Sequence, residues 1–267
     1  MGAMPALSPE QLLSHLDRNA HWPGGFGGTV QEAYEHALAV REMRIERGER
    51  PLGFKVGFTN RTIWERYGVF GPIWGTVYDT TVRFCDGRGE LEIATCSEPR
   101  LEPECVFGIA STPPARCGLD KLFACIEWFA PGFEVVQSHM PGWKFVAADT
   151  VADGGLHGRL LVGPRQSIRD GAATAHDFES SLARAQVELM QGDGAKERGQ
   201  GSNVLDGPLH ALLHFLNALR DCPGAPDLLP GDIVTTGTWT DAWPVKPGER
   251  WKAKFDAPLA NLEVEFK

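Results

Sequence analysis

The stretch LEPECVFGI, Leu101–Ile109, sets two glutamates two residues apart at the start of an apolar run. Read as an extended strand, it sends alternate side chains to the same side, so Glu102 and Glu104 aim at one place. Carboxylates that close repel unless a cation lies between them. The same E-x-E spacing occurs at Glu90/Glu92 and Glu263/Glu265, where a solvated strand face explains it. The middle pair differs in its surroundings: Pro103 stiffens it, and the following CVFGIA reads as interior strand, where an unpaired carboxylate is costly.

Working outward, GLDKLFACIEWFAPG (118–132) reads as a helix, with Leu119, Leu122, Phe123, Ile126 and Phe129 on one face and Gly132 at its end. FEVVQ follows as a strand. Strand, helix, strand over about thirty residues is the length of a crossover unit that lays its two strands near each other. Glu134 is therefore expected to join Glu102 and Glu104. Three carboxylates with no His or Cys beside them suit a hard divalent cation, Mg2+ or Mn2+.

Upstream, SPEQLLSHL offers Ser8 as N-cap with Pro9 and Gln11 behind it, and TVQEAYEHALAVREMRIERG repeats the pattern with Thr29 and Glu32. In the second helix Val30, Ala33, Tyr34, Ala37 and Val40 line one face. After Pro51 the chain turns to short apolar runs broken by Gly and Pro: GFKVGFT, GTVYDTTVRF and ELEIATC read as strands. Downstream, QVEL alternates as a half-exposed strand. DGPLHALLHFLNALRDCPG is a helix capped by Asp206 with a stripe of Leu209, Leu212, Leu213 and Leu216. GDIVTTGTW, WKAKFDA and LEVEFK return to strands. The class is α+β, with a helical N-terminal segment over 1–70 and a strand-rich core over 71–267.

The 267 residues are 42% hydrophobic and 23% charged, the composition of a globular protein with a sizeable core. A formal charge of -9 disfavours nucleic acid and anionic membranes as partners. No apolar run approaches the roughly 18 residues of a membrane span. The opening lacks a secretory leader's charged-then-apolar order. The six cysteines show no C-x-x-C pairing and read as buried, reduced thiols, which suits the cytoplasm.

Two further positions have competing readings. Lys55 lies opposite the Phe54, Val56 and Phe58 face of its strand. It is either an edge lysine with its head in water or a lysine whose pKa burial lowers until it trades protons near neutrality. Asp79 is either a strand-end turn acid or a partner of Lys55. In the Gly- and hydroxyl-rich turn of GDIVTTGTWTDAWPV, Thr236 and Thr238 either satisfy local backbone groups or meet a small carboxylate.

GFKVGFTN, GTVYDTT, LEPECVFGIA, FEVVQS, DTVADGG and GDIVTTGTWTDAWPVKPGE, in this order, resemble the 2-keto-4-pentenoate hydratases of the fumarylacetoacetate hydrolase superfamily, relatives of the 2-oxo-3-hexenedioate decarboxylases. The likeness runs from about Leu12 to the C-terminus. It implies a mixed β-roll core and Mg2+ or Mn2+ held by Glu102, Glu104 and Glu134. It implies Lys55 and Asp79 as acid–base residues, and Thr238 with Gly237 as contacts for the substrate. The activity implied is hydration of a 2-hydroxy-2,4-dienoate, through its 2-oxo-3-enoate tautomer, to a 4-hydroxy-2-oxo acid, as in aromatic catabolism. Decarboxylation of a 2-oxo-3-enedioate and C–C hydrolysis of an acylpyruvate are the alternatives, and a homo-oligomer is expected. One departure stands out. Where these hydratases carry ADNASS this chain has ADGGLHG, Ala152–Gly158, so an altered substrate preference is expected if that loop meets the substrate. His139 and His157 are further acid–base candidates.

Overall fold

The computed structural model describes residues 6–22 and 24–267. Two helices come first, α1 (Pro9–Arg18) and α2 (Val30–Glu46). Both begin with the expected reciprocal caps, Ser8 with Gln11 and Thr29 with Glu32. α2 buries Ala33, whereas Val30, its first residue, is exposed. Next come β1 (Pro51–Gly57), α3 (Trp64–Tyr67), β2 (Ile73–Tyr78), β3 (Val82–Phe84) and β4 (Arg88–Leu91). β4 ends before the ATC of ELEIATC, where Cys96 N–H turns back to the Ile93 carbonyl. Two long strands, β5 (Arg100–Ile109) and β6 (Ile126–Val136), flank the short helix α4 (Leu119–Phe123). Then follow α5 (Ala147–Ala152), β7 (His157–Val162), β8 (Gln166–Ser167), α6 (Ile168–Gly171), α7 (Ala175–Arg184), β9 (Gln186–Gln191) and β10 (Gly194–Gln200). The chain closes with α8 (Pro208–Asp221), β11 (Ile233–Thr235), β12 (Trp243–Pro244), β13 (Arg250–Phe255) and β14 (Leu262–Phe266).

Among the described residues the strands form two mixed sheets. The larger runs β2-β1-β11-β5-β6-β7-β3, with β12 added to β5 and β8 to β6; the smaller runs β10-β9-β13-β14-β4. β1/β11, β3/β7 and β4/β14 pair parallel and the rest antiparallel. β1 thus belongs to the large sheet, between β2 and β11. The main core packs Phe107 and Phe129 of that sheet against Phe178 of α7, and includes Leu212 and Phe215 of α8. A second cluster joins Leu12, Trp22, Phe26 and Ala33 of the N-terminal segment to Val151 of α5. Among the described residues no helix is long and apolar enough to cross a membrane, and the six cysteines are unpaired thiols.

Two expectations are corrected. The 118–132 stretch is helical only over Leu119–Phe123, and from Ile126 it is strand. Ile126, Trp128 and Phe129 suit a pleated surface, and Pro131 cannot sit inside a helix. β6 therefore lies antiparallel against β5, with no crossover, and Glu102 faces Glu134 directly in the register. The hairpin is interlocked: a Cβ on Gly108 would come within 2.1 Å of the Trp128 ring, and one on Gly132 within 2.5 Å of Val106. The second correction concerns Asp206. It does not cap α8 but pairs with Arg61 at 2.8 Å on the surface. The buried Glu179 takes its place, its two oxygens each accepting an N–H of the first turn, from Leu209 and His210, at 2.9 Å. Those donors are buried or half-buried, and a carboxylate at a helix start is favoured.

Candidate active site

On β5 the period of two sends Arg100, Glu102 and Glu104 to one side of the sheet. Directly opposed residues of an antiparallel pair share a face, so Glu134 joins them. One carboxylate oxygen from each glutamate lies within 4.8 Å of the others. Glu104 and Glu134 have no exposure to solvent, and Glu102 is half-buried. Gly237 N–H donates to Glu104 Oε2 at 2.6 Å. The other oxygen, Glu104 Oε1, is buried with no hydrogen-bond partner among the described residues, and so is Glu134 Oε2.

Lys55 is buried, so the water-exposed edge reading is set aside. Its Nζ donates to the Gly155 carbonyl at 2.8 Å and lies 3.3 Å from Glu134 Oε2, without hydrogen-bond alignment. The other reading, a lowered pKa, is reversed as well. Burial pulls the ammonium down, but Glu134, Glu102 and Glu104 together hold it above the usual lysine value. Lys55 is therefore a cation. The acids move the other way. Burial pushes Glu102 up to about 8, with Lys55 opposing, and drives Glu104 well above the ordinary carboxylate range. Glu134 is raised by burial as well, against Lys55.

Three buried carboxyl groups share one ammonium and leave two oxygens without hydrogen bonds, a set whose protons a divalent cation would displace. An all-oxygen donor set of this kind fits Mg2+ or Mn2+.

A histidine does stand beside the acids. His157 Nδ1 lies 2.8 Å from Glu134 Oε1 and its Nε2 2.9 Å from Thr81 Oγ1. Burial, then Lys55, lowers its pKa well below the usual histidine value, so the ring is neutral. Facing a carboxylate, Nδ1 carries the hydrogen and donates, while Nε2 faces the Thr81 hydroxyl, whose single hydrogen also has the Tyr78 carbonyl within reach at 3.1 Å. His139 is engaged elsewhere. Its Nδ1 bonds Asp153 Oδ1 at 2.6 Å and its ring stacks on Trp22 beneath the N-terminal helices.

Asp79 does not join the site. Its Oδ1 accepts Arg50 N–H at 3.0 Å and its Oδ2 is 3.9 Å from the Arg50 guanidinium. Lys55 is opposite Gly75 in the β1/β2 register, and Asp79 is four residues, roughly 13 Å, farther along the chain. It is the strand-end acid of the plainer reading. Thr236 likewise serves backbone, donating to the Cys105 carbonyl at 2.9 Å. Gly237 acts through Glu104. It sits at φ +97°, and a Cβ there would come within 1.8 Å of Thr59 Oγ1. Thr238 bonds within its own turn, donating to the Thr240 carbonyl at 2.9 Å, and lines the cavity.

The cavity is about 200 Å³ and is walled by Lys55, Arg100, Glu102, Trp143, Leu156 and Thr238, among others. The departing loop explains its own glycines. A Cβ on Gly155 would be 3.0 Å from the Lys55 stem, and one on Gly75 would be 1.9 Å from the Gly154 carbonyl oxygen. Backbone approaches backbone there because neither residue has a side chain. Arg100 was missed in the sequence. Its guanidinium lies 4.1 Å from the Trp143 ring centre, its Nε is buried without a partner, and the alternation through Glu102 and Glu104 signals it.

No family model matches the chain. Among curated proteins it is 30% identical to a 2-hydroxyhexa-2,4-dienoate hydratase of Comamonas testosteroni, over 89% of this chain and 86% of that one. It is 30% identical to 2-keto-4-pentenoate hydratase 2 of Dechloromonas aromatica over 87% and 86%, and 28% identical to a 4-oxalocrotonate decarboxylase of a Pseudomonas species over 82% and 80%. The 4-oxalocrotonate decarboxylase from Pseudomonas putida G7, solved with magnesium and adipate, superposes with a TM-score of 0.84 at 24% identity, covering 99% of this chain and 100% of that one. A fumarylpyruvate hydrolase from Pseudomonas aeruginosa, solved with Mn2+ and pyruvate, superposes with a TM-score of 0.57 at 17% identity over 81% and 89%. The chain therefore belongs to the 2-keto-4-pentenoate hydratase family and has the α+β fold of the fumarylacetoacetate hydrolase superfamily.

Proposed function

We propose that this chain is a divalent-metal-dependent hydro-lyase that adds water to a 2-hydroxy-2,4-dienoate and yields a 4-hydroxy-2-oxo acid, as in the breakdown of aromatic compounds. The observation that carries the reading is the buried triad of Glu102, Glu104 and Glu134, with two unpartnered oxygens and Lys55 Nζ 3.3 Å from one of them. These three residues would hold Mg2+ or Mn2+. Bound there, the ion supplies Lewis acidity toward the oxygens of a 2-oxo acid.

The chain's own groups do the rest. Lys55 Nζ, kept cationic by the acids and fixed by the Gly155 carbonyl, gives a proton to C5 of the dienoate and recovers the one released from the C2 hydroxyl. The resulting 2-oxo-3-enoate is electrophilic at C4. Water adds its oxygen at C4 and a proton at C3, so atoms and charge balance. Trp143 and Leu156 flank the carbon skeleton and limit stray water. Thr238 faces the substrate from the cavity wall, and Gly237 works indirectly through Glu104. The roles of Lys55 and Thr238 rest on their place in this cavity. The six unpaired thiols support a reducing compartment, the cytoplasm. The exposed rings of Phe70 and Phe84 support self-association.

A second reading, decarboxylation of a 2-oxo-3-enedioate, is favoured by one feature. Arg100 is a cation on the cavity wall with no carboxylate partner among the described residues, and a second substrate carboxylate would supply one. The test is to assay the purified chain, with Mg2+, Mn2+ or EDTA, on 2-hydroxypenta-2,4-dienoate and on 2-oxo-3-hexenedioate. Metal-dependent loss of the dienoate without release of CO2 is the expected result. CO2 from the enedioate alone moves the assignment to the second reading, and metal-independent or absent turnover of both sinks the pair.

A further inference from the structure

We infer that His157 is a positioning residue of the metal centre: its Nδ1–H fixes the Glu134 carboxylate so that Oε2 is the oxygen presented to the ion. The inference rests on the metal-dependent reading above and adds to it a residue from the segment in which this chain departs from the hydratase pattern.

The local backbone is built to bring the ring there. β6 and β7 pair regularly from Gly132↔Val162 through Val135↔Arg159, and continuing that register would set Gly158 opposite Val136. The register instead shifts between Val135 and Val136, and His157 takes that place. A one-residue shift exchanges the faces of a strand, so the irregularity turns His157 to the side on which Glu134 stands. Gly158 permits it, because a Cβ there would lie 2.7 Å from the Val135 carbonyl oxygen.

The ring is then held at both ends, by Glu134 Oε1 at 2.8 Å and Thr81 Oγ1 at 2.9 Å. Thr81 is itself fixed by Tyr78, whose N–H it accepts at 3.1 Å and whose carbonyl lies 3.1 Å from its hydroxyl. With Oε1 committed to the imidazole, the carboxylate cannot rotate freely, and Oε2 is left buried without a hydrogen bond among the described residues, 3.3 Å from Lys55 Nζ. The same short segment also holds Lys55 through the Gly155 carbonyl. Residues 155–157 therefore set the spacing between the proton carrier and a metal-binding carboxylate. Outer groups of this kind govern the orientation of the carboxylates they bond.

The experiment compares His157→Asn with His157→Leu. The two replacements have nearly the same shape, but only Asn keeps an N–H donor near the Nδ1 position. Mg2+ and Mn2+ affinities are measured by calorimetry on the full chain, with melting midpoints in EDTA as the control for folding. His157→Leu is expected to weaken metal binding by about 10–100-fold, and His157→Asn to restore most of that loss. Thr81→Val, which releases the far end of the ring, is expected to give a smaller loss in the same direction, and it carries the test if His157→Leu does not fold. Unchanged affinity in Thr81→Val and His157→Leu overturns the inference while leaving the metal site intact. Equal losses in the Asn and Leu variants also overturn it, since they assign the effect to packing. A parent chain that takes up neither ion overturns the proposed function together with this inference.

Discussion

Gly237→Ala is expected to damage stability and metal binding together, through separable causes. At φ +97° an alanine costs about 1–2 kcal/mol for the left-handed backbone. Its Cβ would lie 1.8 Å from Thr59 Oγ1. Thr59 is buried, and its carbonyl accepts Leu205 N–H at 3.0 Å, so it yields only by disturbing its neighbours. Overpacking of that kind adds about 1–3 kcal/mol. The total, about 2–5 kcal/mol, corresponds to a melting midpoint lowered by roughly 4–10 °C for a chain of this size. If the turn moves to relieve the clash, the 2.6 Å bond from Gly237 N–H to Glu104 lengthens. A hydrogen bond to a charged group is worth about 1.5–3 kcal/mol, so Mg2+ affinity should fall by roughly 10–150-fold. Scanning calorimetry in EDTA and titration calorimetry well below the midpoint read the two effects. Thr59→Ala added to Gly237→Ala should recover the packing part and leave the backbone part. A single variant that melts within about 2 °C of the parent and binds Mg2+ equally well would refute this account of the turn.

Lys55→Met should lower kcat by about 10²–10⁴ while Mg2+ binds at least as tightly, because the cation competing for the same carboxylates is gone; undiminished turnover rejects the proton-carrying role. In EDTA, stability should fall as pH rises from 4.5 to about 8, because the folded chain keeps protons on Glu102 and its neighbours that the unfolded chain has already released. Melting midpoints across that range test this, with Glu104→Gln flattening the slope and a midpoint that rises with pH contradicting the sign. Glu179→Ala should cost about 1–3 kcal/mol by stranding the N–H groups of Leu209 and His210, with Mg2+ affinity unchanged; denaturant unfolding beside metal titration checks both halves.

The alternation of LEPECVFGI was enough to place Glu102 and Glu104 together, because strand geometry leaves a period of two no other outcome. Glu134 was found for the wrong reason. Apolar spacing in GLDKLFACIEWFAPG fits a helix and a buried strand alike, and only the pairing of β6 with β5 decides between them. Asp206 looked like the cap of α8 because it precedes Gly207 and Pro208, whereas the group that reaches the helix start comes from Glu179, 30 residues away in sequence. The state of Lys55 was illegible for a related reason. Burial could be guessed from its neighbours, but the sign of its shift depends on three acids gathered from β5 and β6. His157 was visible only as a departure from a pattern, since its partners, Glu134 and Thr81, are distant in the chain and a strand irregularity aims it at them.

Because the acids come from a hairpin whose register is pinned by Trp128 over Gly108 and by Val106 over Gly132, the two arms tolerate length changes very differently. The exposed stretch 114–116 of the connection between them could be lengthened without moving any of the glutamates relative to the others. One residue added between Pro131 and Glu134 would turn Glu134 to the opposite face of the sheet and remove one of the three oxygen donors while most of the fold survived. Evolution or an engineer seeking new chemistry in this scaffold is free to extend that exposed stretch, but must leave the count along β6 untouched.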